Sequence, residues 1–146
     1  MSTEYFKETF SSENPLPDTI IDALFENCLF SGYDFKNLKL AHAKFIDCTF
    51  KNCDLSNVSL ATTRLRSCSF ETCKILGVQW IHCNDLTAPS FKECNLSYGN
   101  FTGLNLKKNH FVNCNMMEAD FSGADLSECN LSQCDFLNAR FQDTNI

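Results

Sequence analysis

Large apolar residues fall on every fifth position along most of this chain. The run begins Ile20, Phe25, Phe30, Phe35, Leu40, Phe45 and Phe50, and continues Leu55, Leu60, Leu65, Phe70, Ile75 and Trp80. The next position in that count is Asp85, which breaks the pattern, and Leu86 restarts it one residue later. Phe91, Leu96, Phe101, Leu106, Phe111, Met116, Phe121, Leu126, Leu131, Phe136, Phe141 and Ile146 then keep the spacing of five. A small residue stands two positions before most of them, and polar residues fill the rest. This period matches neither a helix, at 3.6, nor a plain strand, at 2. It predicts a unit of one short extended segment and one turn, with the large and the small side chain both pointing inward. Residues 1–19 keep the pattern poorly and carry Pro15 and Pro17, so they read as an irregular N-terminal cap on a repeat domain over 20–146.

A longer period lies over the short one. Cys28, Cys48 and Cys68 stand 20 residues apart. Cys53, Cys73, Cys94, Cys114 and Cys134 do the same, with one step of 21 across the extra residue. Phe30, Phe50, Phe70, Phe91 and Phe111 form a third series. Like residues therefore recur after four units, which predicts an all-β solenoid whose coils have four sides. Internal repetition of this kind decides the architecture before any local propensity does. Stacking at a strand spacing of about 4.8 Å gives about six coils and a rod about 30 Å long. The extra residue between Cys83 and Leu86 is expected to loop outward as Asn84 or Asp85, with Trp80 and Leu86 both kept inside.

Cysteine usage follows from the same pattern. All ten cysteines fall on the small inner position counted through the repeat. A compact, weakly polar side chain suits a crowded corner, so they are expected to be buried, reduced packing groups. The N-terminal residues show neither the basic nor the apolar region of an export signal, and no apolar run reaches the length of a membrane helix. The expectation is a cytoplasmic protein with no membrane partner. Zinc is not expected, because inward cysteines with no histidine among them do not converge tetrahedrally. His42, His82 and His110 have no cysteine or carboxylate placed to make a triad, and no glycine-rich phosphate loop is present. Neither a catalytic residue nor a cofactor is expected.

The units Ala119-Asp120-Phe121, Ala124-Asp125-Leu126, Cys129-Asn130-Leu131 and Cys134-Asp135-Phe136 resemble the pentapeptide-repeat family. The resemblance covers residues 20–146 and implies a right-handed quadrilateral β-helix. The cysteine-rich stretch from Phe45 to Leu55, together with Leu76-Gly77-Val78-Gln79-Trp80, is similar to the bacterial branch that includes the Qnr quinolone-resistance proteins and McbG-like immunity proteins. Members of that branch share the rod shape of DNA and bind type II topoisomerases. The resemblance thus implies a non-enzymatic rod that presents a surface to a protein, with DNA gyrase or topoisomerase IV as the partner. The alternative is a structural or scaffolding module with an unrelated partner. Members of the branch often carry long loops and end in a dimerising helix. Here the repeat runs on to Ile146 with one extra residue. Either the chain is trimmed there, or its last coil is an open edge, which invites association and is then the expected contact of a homodimer.

Charge changes the picture of the partner. The formal net charge is −6, which disfavours binding driven by phosphate neutralisation, so no direct nucleic-acid contact is expected. The acids gather at both ends: Glu4, Glu8, Glu13, Asp18, Asp22 and Glu26, then Glu118, Asp120, Asp125, Glu128, Asp135 and Asp143. The waist is basic. Lys44, Arg64, Arg66, Lys107 and Lys108 all flank the column Phe45, Leu65, Leu86 and Leu106, and form a strip interrupted by Asp47 and Asp85. Such a strip suits an acidic protein surface or a phosphate; the plainer reading is a solvated face that keeps rods apart. Asn84 and Asp85, at the break in the repeat, join it as candidate contacts, since irregularities of this kind re-aim side chains.

Overall fold

A computed structural model of the chain describes residues 3–36 and 38–146; Met1, Ser2 and Asn37 lie outside the described residues. The strands are β1 (Glu4–Phe6), β2 (Thr9–Phe10), β3 (Leu24–Glu26), β4 (Leu29–Ser31), β5 (Lys44–Ile46), β6 (Thr49–Lys51), β7 (Arg64–Arg66), β8 (Ser69–Glu71), β9 (Asp85–Thr87), β10 (Ser90–Lys92) and β11 (His110–Val112). Every pairing is parallel, and each strand meets its counterpart in the next coil. One sheet runs β1-β3-β5-β7-β9 and the other β2-β4-β6-β8-β10-β11. The remaining two sides are joined by single bridges, such as Asp54↔Lys74 and Asn100↔Asp120. The result is a four-sided parallel β-solenoid. One sheet has six strands, the first of them β2 in residues 1–19, and the other has five before bridges such as Asn105↔Asp125 carry its column onward, so the coil count differs slightly from the six expected over residues 20–146.

The pentapeptide turns because its residues allow a corner. At most corners the second residue after the large apolar one adopts a left-handed conformation: Asn27, Asp47, Asn52, Ser67, Glu93 and Lys108 have φ of 53° to 65°. Asn and Asp tolerate that region better than most residues. At many corners the large residue's carbonyl accepts the N–H three residues on, as in Ala23 to Ile20 and Ala43 to Leu40, both at 3.0 Å. Asp or Asn before the large residue serves the same corner. Asp34, Asp54 and Asp120 each accept the backbone N–H two residues on, at 2.9 Å, through a side-chain oxygen, an Asx turn.

Inside, the aromatic columns are stacked as expected. Phe30–Phe50, Phe50–Phe70 and Phe70–Phe91 centroids lie 4.7, 4.8 and 5.0 Å apart. Neighbouring columns meet edge to face, as Phe25 does Phe30 at 68°, which are the two arrangements aromatic rings prefer. Seven of the ten free thiols are buried, while Cys83, Cys129 and Cys134 are half-buried. Cysteines also donate. The Sγ of Cys48 and Cys68 lies 3.3 and 3.2 Å from the carbonyl oxygens of Phe25 and Phe45 in the coil below. Among the described residues no backbone bond closes the corners after those phenylalanines, and the thiol adds a donor at their carbonyls beside the strand ladder.

Two features depart from the periodic reading. First, the ladder starts at Glu4, not Ile20. Tyr5 stacks on Phe25 at 4.9 Å and Phe10 on Phe30 at 5.4 Å, in register with the coils that follow. Among residues 11–19, Leu16 turns inward to 6% exposure and its N–H donates to the Tyr33 hydroxyl at 3.1 Å. Second, Asp85 is not looped out. It sits in β9 opposite Arg64. The extra residue is absorbed upstream, where Trp80–His82 form a 3-10 turn and His82 lacks the left-handed conformation of its counterparts His42 and Thr62. Asn84 is exposed, its N–H donating to the Thr63 carbonyl at 2.9 Å. Trp80 stays in the core at 1% exposure, but Leu86 is only half-buried.

Candidate interaction face

The five-stranded sheet carries the charged strip. Strands β5, β7 and β9 align Lys44, Arg64 and Asp85 in one row, and Ile46, Arg66 and Thr87 in the next. Outward positions alternate with the buried Phe45 and Leu65, so the row faces solvent because its neighbours fill the core. Arg66 Nη2 lies 2.7 Å from Asp85 Oδ2. The Thr87 hydroxyl donates to the other Asp85 oxygen. Those two donors, Thr87 before Arg66, hold the Asp85 carboxyl below the usual carboxylate range. Asp85 is therefore a fixed anion that orients Arg66.

Lys44 and Arg64 stand differently. They are Cα partners on adjacent strands, and among the described residues neither has a carboxylate partner. Like charges set opposite each other across a ladder destabilise it. Together with Ile46, Arg66 and Asp85 they line a cleft of about 210 Å³. A second, more open groove of about 600 Å³ lies past Asp85, lined by Leu86, Thr87, Ala88, Asn105, Lys107, Lys108 and Asn109. Lys108 reaches Glu128 at 3.6 Å across solvent, a contact of small energetic weight.

The structure thus brings Lys44, Arg64, Arg66 and Asp85 into one cleft, and Lys107 and Lys108 into the groove beside it. Asn84 stands at the entry to β9, and Asp47 on an exposed corner. Ile46, Thr87 and the half-buried Leu86 were missed by reasoning from charge alone. The signal that finds Thr87 and Ile46 is their register, since both follow the large inner residue directly, as Arg66 does.

Other chemistry finds no site. Among the described residues no three metal-ligating side chains converge, and no helix is long and apolar enough to cross a membrane. Burial, and then the Asp85 charge, push the Cys83 thiol up to about 12, which leaves it protonated and a poor nucleophile.

A solved trypsin-treated form of QnrB1, a plasmid-mediated fluoroquinolone resistance protein, is 21% identical with a TM-score of 0.48, over 99% of this chain and 91% of that one. HetL, a pentapeptide repeat protein involved in heterocyst differentiation regulation in the cyanobacterium Nostoc sp., is 13% identical with a TM-score of 0.37, over 98% and 86%. No curated protein matches the sequence significantly. The family model described as "Pentapeptide repeat region" matches residues 19–101 and 43–121. A second, "Pentapeptide repeats (8 copies)", matches residues 114–146. With its corners, inner columns and nearly its whole length accounted for by the five-residue unit, this chain belongs to the pentapeptide-repeat family.

Proposed function

We propose that this chain is a non-enzymatic bacterial protein of the cytoplasm that binds an acidic protein surface through the face displayed by β5, β7 and β9. The observation that supports this reading is the stacked Lys44–Arg64 pair, two cations that make no salt bridge among the described residues, although Asp85 stands opposite Arg64 in the ladder. A partner carboxylate placed over them relieves a repulsion that the free rod bears. Lys107, Lys108, Asn84 and Asp85 extend the contact along the rod. The sequence resemblance to the topoisomerase-binding branch nominates DNA gyrase or topoisomerase IV as the partner. Leu137, in the last coil and 57% exposed, supports a homodimer through the C-terminal coil as the working assembly.

The test is direct binding of gyrase and topoisomerase IV by the wild type and by Lys44→Glu/Arg64→Glu, beside fluoroquinolone susceptibility of an expressing bacterium. The double variant is expected to lose about tenfold or more in affinity, because charge is reversed at the contact. Equal binding by a double variant of unchanged melting temperature rules this face out. Absence of binding and of any susceptibility change in the wild type rules out the topoisomerase and leaves the scaffold reading.

A further inference from the structure

Cys53, Cys73, Cys94, Cys114 and Cys134 occupy one inner column, each just before a residue of the bridged series Asp54, Lys74, Asn95, Asn115 and Asp135. Their thiols share one orientation. Each Sγ faces the carbonyl oxygen of a phenylalanine in the coil below: Phe30, Phe50, Phe70, Phe91 and Phe111, at 3.3, 3.2, 3.2, 3.6 and 2.9 Å. Identical orientation in stacked coils sets the sulfurs one coil apart, about 4.8 Å.

That spacing has a chemical meaning. Two metal–thiolate bonds of about 2.3 Å laid end to end span about 4.6 Å. A tetrahedral ion needs ligands that this column lacks, but a soft d10 cation that prefers two ligands in line needs only a stacked pair. Thiolates select such ions.

We propose that this thiol column is a site for a soft, two-coordinate metal cation, entered at the Cys114–Cys134 pair. Cys134 is the half-buried member and gives access, whereas Cys53, Cys73, Cys94 and Cys114 are buried. On binding, both S–H bonds break, two protons pass to solvent, two S–metal bonds form, and no electron moves. With a divalent ion the filled site is neutral, as burial among apolar side chains requires. Cys129 is the internal control. It is also half-buried, but it stands over Asn109, whose carbonyl accepts the Asn130 N–H at 3.0 Å, and so has no thiol beneath it.

The probe is Hg(II), added in limiting amount to the folded protein with a large excess of a simple monothiol to strip single-thiolate adducts. Native mass spectrometry then reads the retained metal and the protons lost. One ion retained with loss of two protons is expected for the wild type and for Cys129→Ser. Cys114→Ser and Cys134→Ser should each retain at least tenfold less at unchanged melting temperature. Retention equal to wild type in both of those variants overturns the proposal. So does a wild-type adduct that has lost a single proton, a result that stands whether or not any variant folds.

Discussion

Phe50→Ala tests the core most severely. The Phe50 ring is 1% exposed. It stacks on Phe30 at 4.7 Å and Phe70 at 4.8 Å, and tilts against Phe45 at 5.5 Å and Phe35 at 5.7 Å. Removal of a buried phenylalanine ring costs about 3–5 kcal/mol when the surroundings cannot collapse. Collapse is unfavourable here, because Phe30 and Phe70 are fixed by the register of β4, β6 and β8. A small apolar void of about 10 Å³ already borders Phe50, lined also by Leu40, Leu60 and Trp80, so the new cavity adds to unfilled space. Two broken ring stacks, worth about 0.5–1.5 kcal/mol each beyond burial, place the expected loss toward 5 kcal/mol. Urea unfolding followed by tryptophan fluorescence reads it, since Trp80 lies in the same core and contacts Phe70 edge-on at 6.0 Å. A midpoint shift no larger than that of Leu137→Ala, where the side chain is 57% exposed, refutes the reasoning.

Two further outcomes follow from the irregular waist. Deletion of the exposed Asn84 restores the period of five and should lower the melting temperature only slightly, whereas deletion of Thr102 shifts every later coil against the one below and should unfold the chain; equal melting temperatures would contradict the register assigned through Trp80–His82. Asp85 is held below the usual carboxylate range by Thr87 and Arg66, so its stabilisation is complete above the unfolded carboxyl range and disappears as pH falls through the folded one. Asp85→Asn should accordingly cost at most ~1 kcal/mol at neutral pH, the ceiling of an exposed ion pair, and nothing at low pH; thermal melts across that range check the sign.

Much of this architecture is written in the sequence because each inner residue recurs at a fixed interval and stacks on its own kind. The Phe30 to Phe111 column and the two cysteine columns could be read directly. So could the pairing of Lys44 with Arg64 on adjacent strands, since strand register follows from the count of 20. Tyr5 and Phe10 were harder to place, because Pro15 stands where the next large residue belongs and Leu16 fills the core instead. Asp85 misled for a different reason. A carboxylate one position before Leu86 looks like an interruption by hydropathy, yet Arg66 and Thr87 make it a strand residue. Counting could not reveal which cations lack a partner, since that depends on how the side chains of adjacent coils pair.

The choice between cysteine and alanine at the inner small position also carries information that hydropathy does not. Alanine stands at corners closed by a backbone bond, as at Ala23, Ala43, Ala119, Ala124 and Ala139. Cysteine stands at 48, 53, 73, 94 and 114, where among the described residues no such bond forms, although Cys83 and Cys129 stand at closed corners. There the thiol one coil above adds a donor to a carbonyl of the strand ladder, as Cys73 Sγ does at the Phe50 oxygen at 3.2 Å. Size alone would make the two residues interchangeable. If the donor matters, Cys73→Ala should cost about 0.5–1.5 kcal/mol, the net worth of a typical hydrogen bond, beyond the packing change. Cys73→Ser, which keeps a donor in nearly the same place, should recover part of that loss. Ala43→Cys supplies the complementary case: its corner carbonyls are already bonded, so the added thiol gains no acceptor and crowds the coil. Equal urea midpoints for Cys73→Ala and the wild type would mean that these cysteines are packing groups only, and that the corner type is set by something other than the residue at this position.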